Sequence, residues 1–183
     1  MAVKDAVHTF MKSNNFWISL ARETLTALVA VGAIALLLFL YAGVWPPMVS
    51  VGGTSMYPHM QNGDLVILRG LDRVNVVTGI DAINSSYQKF DGFGDVIVYS
   101  PMGNRSITPV IHRAMYYVQS GQPMWPGGPA APWGGYITLG DNNFLYDQSS
   151  SISPDSPVRP EWILGVSQLR VPYLGMVRSL LPI

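Results

Sequence analysis

The sequence predicts a mainly β protein, with one N-terminal transmembrane helix followed by an antiparallel β barrel or sandwich-like domain. Three observations predict it. From Thr24 to Trp45 no side chain is charged. Beyond Trp45, short runs rich in Val, Ile, Leu and Tyr are separated by Gly, Pro, Asn and Asp, the pattern of strands and turns. Charged residues make up only 12 % of the 183 residues, about half the ~25 % usual in soluble domains.

Residues 1–23 are short and mixed in polarity and read as an N-terminal segment. Residues 24–45 (TLTALVAVGAIALLLFLYAGVW) would span ~33 Å as a helix, enough for a hydrocarbon core of ~30 Å. Trp17, Tyr41 and Trp45 lie near its ends, where amphipathic rings favour the headgroup layer. Pro46-Pro47 is expected to stop the helix. The run is too long for a cleavable signal peptide, whose apolar region covers ~7–15 residues, and reads as an uncleaved anchor. Lys4, Lys12 and Arg22 precede it. The positive-inside rule therefore places the N-terminus in the cytoplasm and residues 46–183 outside the cell membrane.

In residues 46–183 the expected strands are 64–68, 95–100, 110–118, 136–140 and 162–171, with 173–177 as a further candidate. No stretch there predicts an amphipathic helix beyond a turn or two. Segments 119–135 and 147–160 read as loops, the first an ordered excursion or one leaning on the membrane through Trp125 and Trp133. Eleven basic and eleven acidic residues cancel, which argues against nucleic acid as a partner. Cysteine is absent, excluding disulfides, a thiol nucleophile and Cys-ligated zinc. No metal or organic cofactor is implied.

Three segments could carry chemistry. GGTSMYPHM (52–60) can present the Ser55 hydroxyl on a glycine-rich turn. A serine nucleophile needs a base. His8, Lys4 and Lys12 precede the span, which leaves His59, His112 and Lys89. His112 lies within a strand pattern, His59 in a solvated turn and Lys89 in a polar loop. In GDNNFLYD (140–147), Asp141 and Asp147 stand six residues apart, and either could orient a histidine. Gly-Asp-Asn-Asn is also ordinary turn chemistry.

In order, these segments resemble signal peptidase I of the archaeal and endoplasmic-reticulum type. The matching residues are an N-terminal anchor, Ser55-Met56-Tyr57-Pro58, Gly94-Asp95 opening an apolar strand, His112-Arg113 in a second strand, and Gly140-Asp141-Asn142-Asn143 with Asp147 beyond. PYLGMV (172–177) resembles the family's last strand. The resemblance implies a membrane-anchored serine endopeptidase that removes signal peptides from secreted preproteins, its catalytic domain extracytoplasmic. It implies Ser55 as nucleophile, His112 as general base where bacterial enzymes carry lysine, Asp147 orienting the imidazolium, and Asp141 supporting the site through the Gly140–Asn143 turn. Substrates would bind as an extended strand, with GDVIVY (94–99) as one wall. A histidine base must be neutral, so activity is expected to fall below about pH 6–7.

Two departures stand out. Gly53 replaces a serine common in relatives, so oxyanion binding would fall to backbone N–H groups, that of Ser55 among them. His59 replaces a frequent threonine and puts a second imidazole near the nucleophile. Partner subunits, as in the eukaryotic complexes of this family, are compatible with the sequence. The alternative reading is a membrane-anchored, non-catalytic β domain acting in envelope or pilus assembly.

Overall fold

The computed structural model describes residues 15–176. The chain forms two compact units, one ending at Tyr41 and one beginning at Ala42. Within the first lies almost all of helix α1 (Phe16–Ala42). Its 27 residues correspond to ~40 Å, and it is long and apolar enough to cross a membrane. Apart from Ala42, none of its residues is buried within the protein. The helix differs from the expected 24–45 at both ends. It begins eight residues earlier, so that residues 16–23 continue it. It stops before the prolines because Gly43 adopts a left-handed φ of +70°. Residues 1–14, with Lys4, His8 and Lys12, lie outside the described residues.

The second unit holds strands β1 (Met48–Ser50), β2 (Leu65–Arg69), β3 (Gln88–Lys89), β4 (Gly92–Phe93), β5 (Val96–Tyr99), β6 (Val110–Val118), β7 (Gly135–Leu139) and β8 (Ile163–Val171). One curled antiparallel sheet runs β1-β2-β8-β5-β6-β7, and β3-β4 is a small hairpin. A two-turn helix, α2 (Gly79–Ser85), precedes the hairpin, with Thr78 as its N-cap. The expected strand over 173–177 is not formed. Tyr173 takes a left-handed φ of 60°, which turns the chain out of the extended conformation, and residue 177 lies outside the described residues.

β5 explains why VIVY carries no polar alternation. It lies between β8 and β6, and both its faces are covered. Val96 and Val98 pack with Val51, Met56, Met60, Val66 and Leu68 on one side. Ile97 and Tyr99 pack with Ala114, Val158 and Val166 on the other. The 119–135 segment is an ordered excursion whose indoles pack on the domain itself. Trp125 lies against Tyr146, and Trp133 against Trp162 with Arg159 over its ring.

The buried Asp95 carboxylate holds the α2 region, accepting from Val77 N (2.9 Å) and Tyr87 OH (2.8 Å). Burial, then the hydrogen bond to Asp95 and its charge, push the Tyr87 phenol from 10.0 up to about 12. The Tyr99 phenol is also pushed up, by burial first and then by the charge of Asp147. A folded-state value above the unfolded one gives stability that is complete below pH 10.0 and lost as pH rises through the folded value. Alkaline titration followed by circular dichroism is therefore expected to show stability falling from pH 10 to 12. Tyr87→Phe, which has no phenolic proton, should show a shallower fall over that range.

Candidate active site

Ser55 lies in a tight turn. Tyr57 N donates to Thr54 O (3.1 Å) and Met60 N to Met56 O (2.9 Å). Met56 and Met60 are buried in the core and pin the turn from below. Gly53 has φ +84°, with open space where a Cβ would stand. A serine would be strained in that backbone, which gives a physical reason for the departure from the resembling family.

The sheet register brings the remaining groups together. His112 on β6 pairs with Ile97 on β5, and Tyr99 lies two residues further along that strand. Thr138 on β7 pairs with Ala114. Paired residues, and residues two apart on a strand, point to the same face, so His112, Tyr99 and Thr138 share one side of the sheet. Asp147, opening a short 3-10 turn at Asp147–Ser149, meets them there.

The Asp147 carboxylate is fully buried and the His112 ring is 3 % exposed. Asp147 Oδ2 accepts from Tyr99 OH (2.7 Å) and Thr138 Oγ1 (2.6 Å), and His112 Nδ1 lies 2.7 Å from the same oxygen. Gln148 Nε2 donates to Thr138 Oγ1 at 3.2 Å, leaving the threonine proton for Asp147. With the carboxylate as acceptor, Nδ1 carries the hydrogen of a neutral imidazole. Nε2 then presents its lone pair to Ser55 Oγ at 2.9 Å. The result is a serine–imidazole–carboxylate line that can take a proton from the serine and hold the imidazolium that forms.

Arg113 follows His112 and points to the opposite face. Its Nε and Nη2 donate to Asp141 Oδ1 (2.8 Å) and Oδ2 (2.6 Å), a two-pronged pair with both side chains buried. Nη1 donates to Gly94 O (2.6 Å) and Lys89 O (3.0 Å). Asp141 also contacts His59 Nδ1 at 2.7 Å. His59 is thus not the solvated turn residue expected; its ring is held by Asp141, and His112 is the imidazole within reach of Ser55. Lys89 contributes its carbonyl to Arg113, and its ammonium lies over the Phe90 ring.

The 140–143 turn completes the assembly. Asn142 N donates to Ser55 O (2.8 Å), Asn142 Nδ2 to Thr54 O (3.2 Å), and Asn143 N to Gly140 O (2.8 Å). A Cβ on residue 140 would stand 2.7 Å from Ser55 O and 2.9 Å from His112 Nε2. Glycine there is what lets the turn close on both partners. Thr138 and Gln148 were not among the expected site residues, and Tyr99, Arg113 and Gly140 were named only within longer segments, with no role of their own. A tyrosine or threonine inside a strand pattern reads as ordinary packing, so only Arg113, a charge in an apolar run, gave a usable signal.

Ser55 and His112 open onto a cleft of about 700 Å³. One side is formed by Ser50–Gly52 at the end of β1, the other by Thr108–Ile111 leading into β6. Of the expected wall at GDVIVY only Val98 faces this region, lining an adjoining apolar cavity. β5 is an interior strand with a partner on each side, so it offers no free edge. Among the described residues no group of three or more His, Asp or Glu side chains is arranged to hold a metal ion. No protein-family model matches the chain, and a search of curated proteins finds no match.

Proposed function

We propose that this protein is a membrane-anchored serine endopeptidase of the signal peptidase I kind, which removes signal peptides from secreted preproteins. The observation that carries the proposal is the Ser55–His112–Asp147 line, with contacts of 2.9 and 2.7 Å, opening into a cleft between strand segments. Ser55 Oγ attacks the scissile carbonyl while His112 Nε2 takes its proton. The imidazolium, stabilised by Asp147, then protonates the leaving amine. Water, activated by the same ring, releases the acyl group. Backbone N–H groups of the Ser55 turn are the available donors for the oxyanion.

The cleft suits an extended peptide. β1 pairs with β2 on one side only. Pro47 O and both backbone groups of Val51 point toward β2, so those of Met48, Ser50 and Gly52 turn to the open edge. On the facing side, residues 110–112 of β6 run past the end of its pairing with β7, which begins at Arg113. Strand addition at such edges gives affinity through the main chain. Residues 16–42 would anchor the protein, and Arg22 with Lys4 and Lys12 favours a cytoplasmic N-terminus and an extracytoplasmic catalytic domain.

Reconstituted wild type is expected to cut a precursor with an intact signal peptide after a small residue, the product mass locating the cut. Ser55→Ala should lose that cut by several orders of magnitude. Equal cleavage by both proteins would remove Ser55 from the chemistry. No Ser55-dependent cleavage at all would favour a β domain that only binds.

A further inference from the structure

The serine turn is held at both ends by two consecutive residues of the 140–143 turn. Asn142 takes its upstream end, donating from N to Ser55 O (2.8 Å) and from Nδ2 to Thr54 O (3.2 Å). Asp141 takes its downstream end through the His59 ring, with Nδ1 2.7 Å from Oδ2. The Asp141 carboxylate is itself fixed, because Arg113 donates to both of its oxygens. Arg113 follows His112 on β6. Two neighbouring residues of one strand therefore set both sides of the proton transfer. His112 receives the proton, and Arg113, through Asp141 and His59, holds the turn that gives it up.

We infer that His59 is a positioning residue, which acts through Asp141 to keep Ser55 Oγ against His112 Nε2. The inference rests on the peptidase reading and deepens it. Upstream of the serine, Gly52 and Gly53 have open space where a Cβ would stand, so neither carries a side chain that could restrain the turn. Downstream, Arg170 Nη1 donates to His59 O (2.7 Å) and fixes the His59 backbone, leaving the ring to bridge to Asp141. Nδ1 carries a hydrogen both in the imidazolium and in the neutral tautomer that a carboxylate partner selects. The link therefore does not depend on the charge of the ring. His59 does not line the cleft, and the hydrogen-bond partner of Ser55 Oγ is His112 Nε2, at 2.9 Å. Loss of the His59 ring thus leaves the cleft surface intact and frees the turn to drift. A misplacement of about 1 Å can cost about 10²-fold in rate.

The test uses the full-length protein in bilayers. His59→Ala is expected to lower kcat by about 10–100-fold with KM little changed. The same fall should appear in the rate at which a fluorophosphonate labels Ser55, a readout that needs no precursor. Both rates are taken per serine labelled at completion, so unfolded protein does not count. His59→Asn places an amide nitrogen as many bonds from Cβ as Nδ1 and should recover most of the loss. Its kcat/KM should keep the acid limb of wild type, because His112 remains the base. A role in stability alone would lower the denaturation midpoint without changing either rate per serine, and that result overturns the inference. An Asn variant as slow as the Ala variant, or a loss confined to KM, overturns it too. So does an acid limb that disappears in His59→Asn, which would make His59 the base. Absence of Ser55-dependent labelling and cleavage in wild type overturns the peptidase reading, and the inference with it.

Discussion

Asp147→Asn is expected to lower kcat by about 10⁴ in a protein that still folds, the magnitude seen when the orienting carboxylate of a serine triad is made an amide. Tyr99 OH, Thr138 Oγ1 and His112 Nδ1 all direct hydrogens at this carboxylate. An amide cannot accept from all three, and its own N–H₂ must face at least one of them. The least costly adjustment is for His112 to shift its hydrogen to Nε2. That ring position then donates toward Ser55 and can no longer take its proton. KM should change little, because Asp147 is sealed from the cleft. Steady-state kinetics, with circular dichroism as the folding control, checks this. An Asn variant cutting within tenfold of wild type would remove Asp147 from the mechanism.

Asp141→Ala should act on stability, by about 3–5 kcal/mol, the usual cost of leaving one partner of a buried ion pair uncompensated. Arg113 is 5 % exposed and holds Asp141 with two hydrogen bonds. Without the carboxylate, its charge keeps only the carbonyls of Lys89 and Gly94. His59 loses its partner at the same time, so the nucleophile turn loosens from the 140–143 turn. Chemical denaturation of Asp141→Ala and of Arg113→Met/Asp141→Leu tests this. The double variant, with both charges removed, should recover most of the lost stability. An Asp141→Ala protein as stable as wild type would show the pair to be weak.

Much of this arrangement was legible because its signals are local. The VIHRAMYYV run is strand β6 over the same residues, 110–118, since alternation and β-branched residues suffice to mark it. Composition and spacing left His59, His112 and Lys89 open as bases and either aspartate as their partner; Ser55, His112 and Asp147 could be named together only because the order of their motifs resembles a known family. What stayed hidden depends on pairing. β1 is three residues long, too short for any period to show, yet its open edge shapes the cleft. GDVIVY is expected as one wall of the cleft, and only the strand order shows that β5 is interior and has no free edge for a peptide. The link from His59 to Asp141 crosses 82 positions, and no local pattern encodes it.

The opposed directions of His112 and Arg113 carry a consequence for how the chain reaches its working form. Each of the two neighbours has its own aspartate, one on either side of the sheet. A strand misaligned by a single position would exchange them, setting a guanidinium against the Tyr99–Thr138 pair and an imidazole beneath the 140–143 turn. The guanidinium would still meet Asp147 but lose the Lys89 and Gly94 carbonyls that hold its remaining nitrogen, and the imidazole would give Asp141 one hydrogen bond in place of two. The dipeptide therefore acts as an alignment key. Chains that pair wrongly are left unstable rather than folded and inert, so the sheet can close stably only in the alignment that also assembles the proposed chemistry.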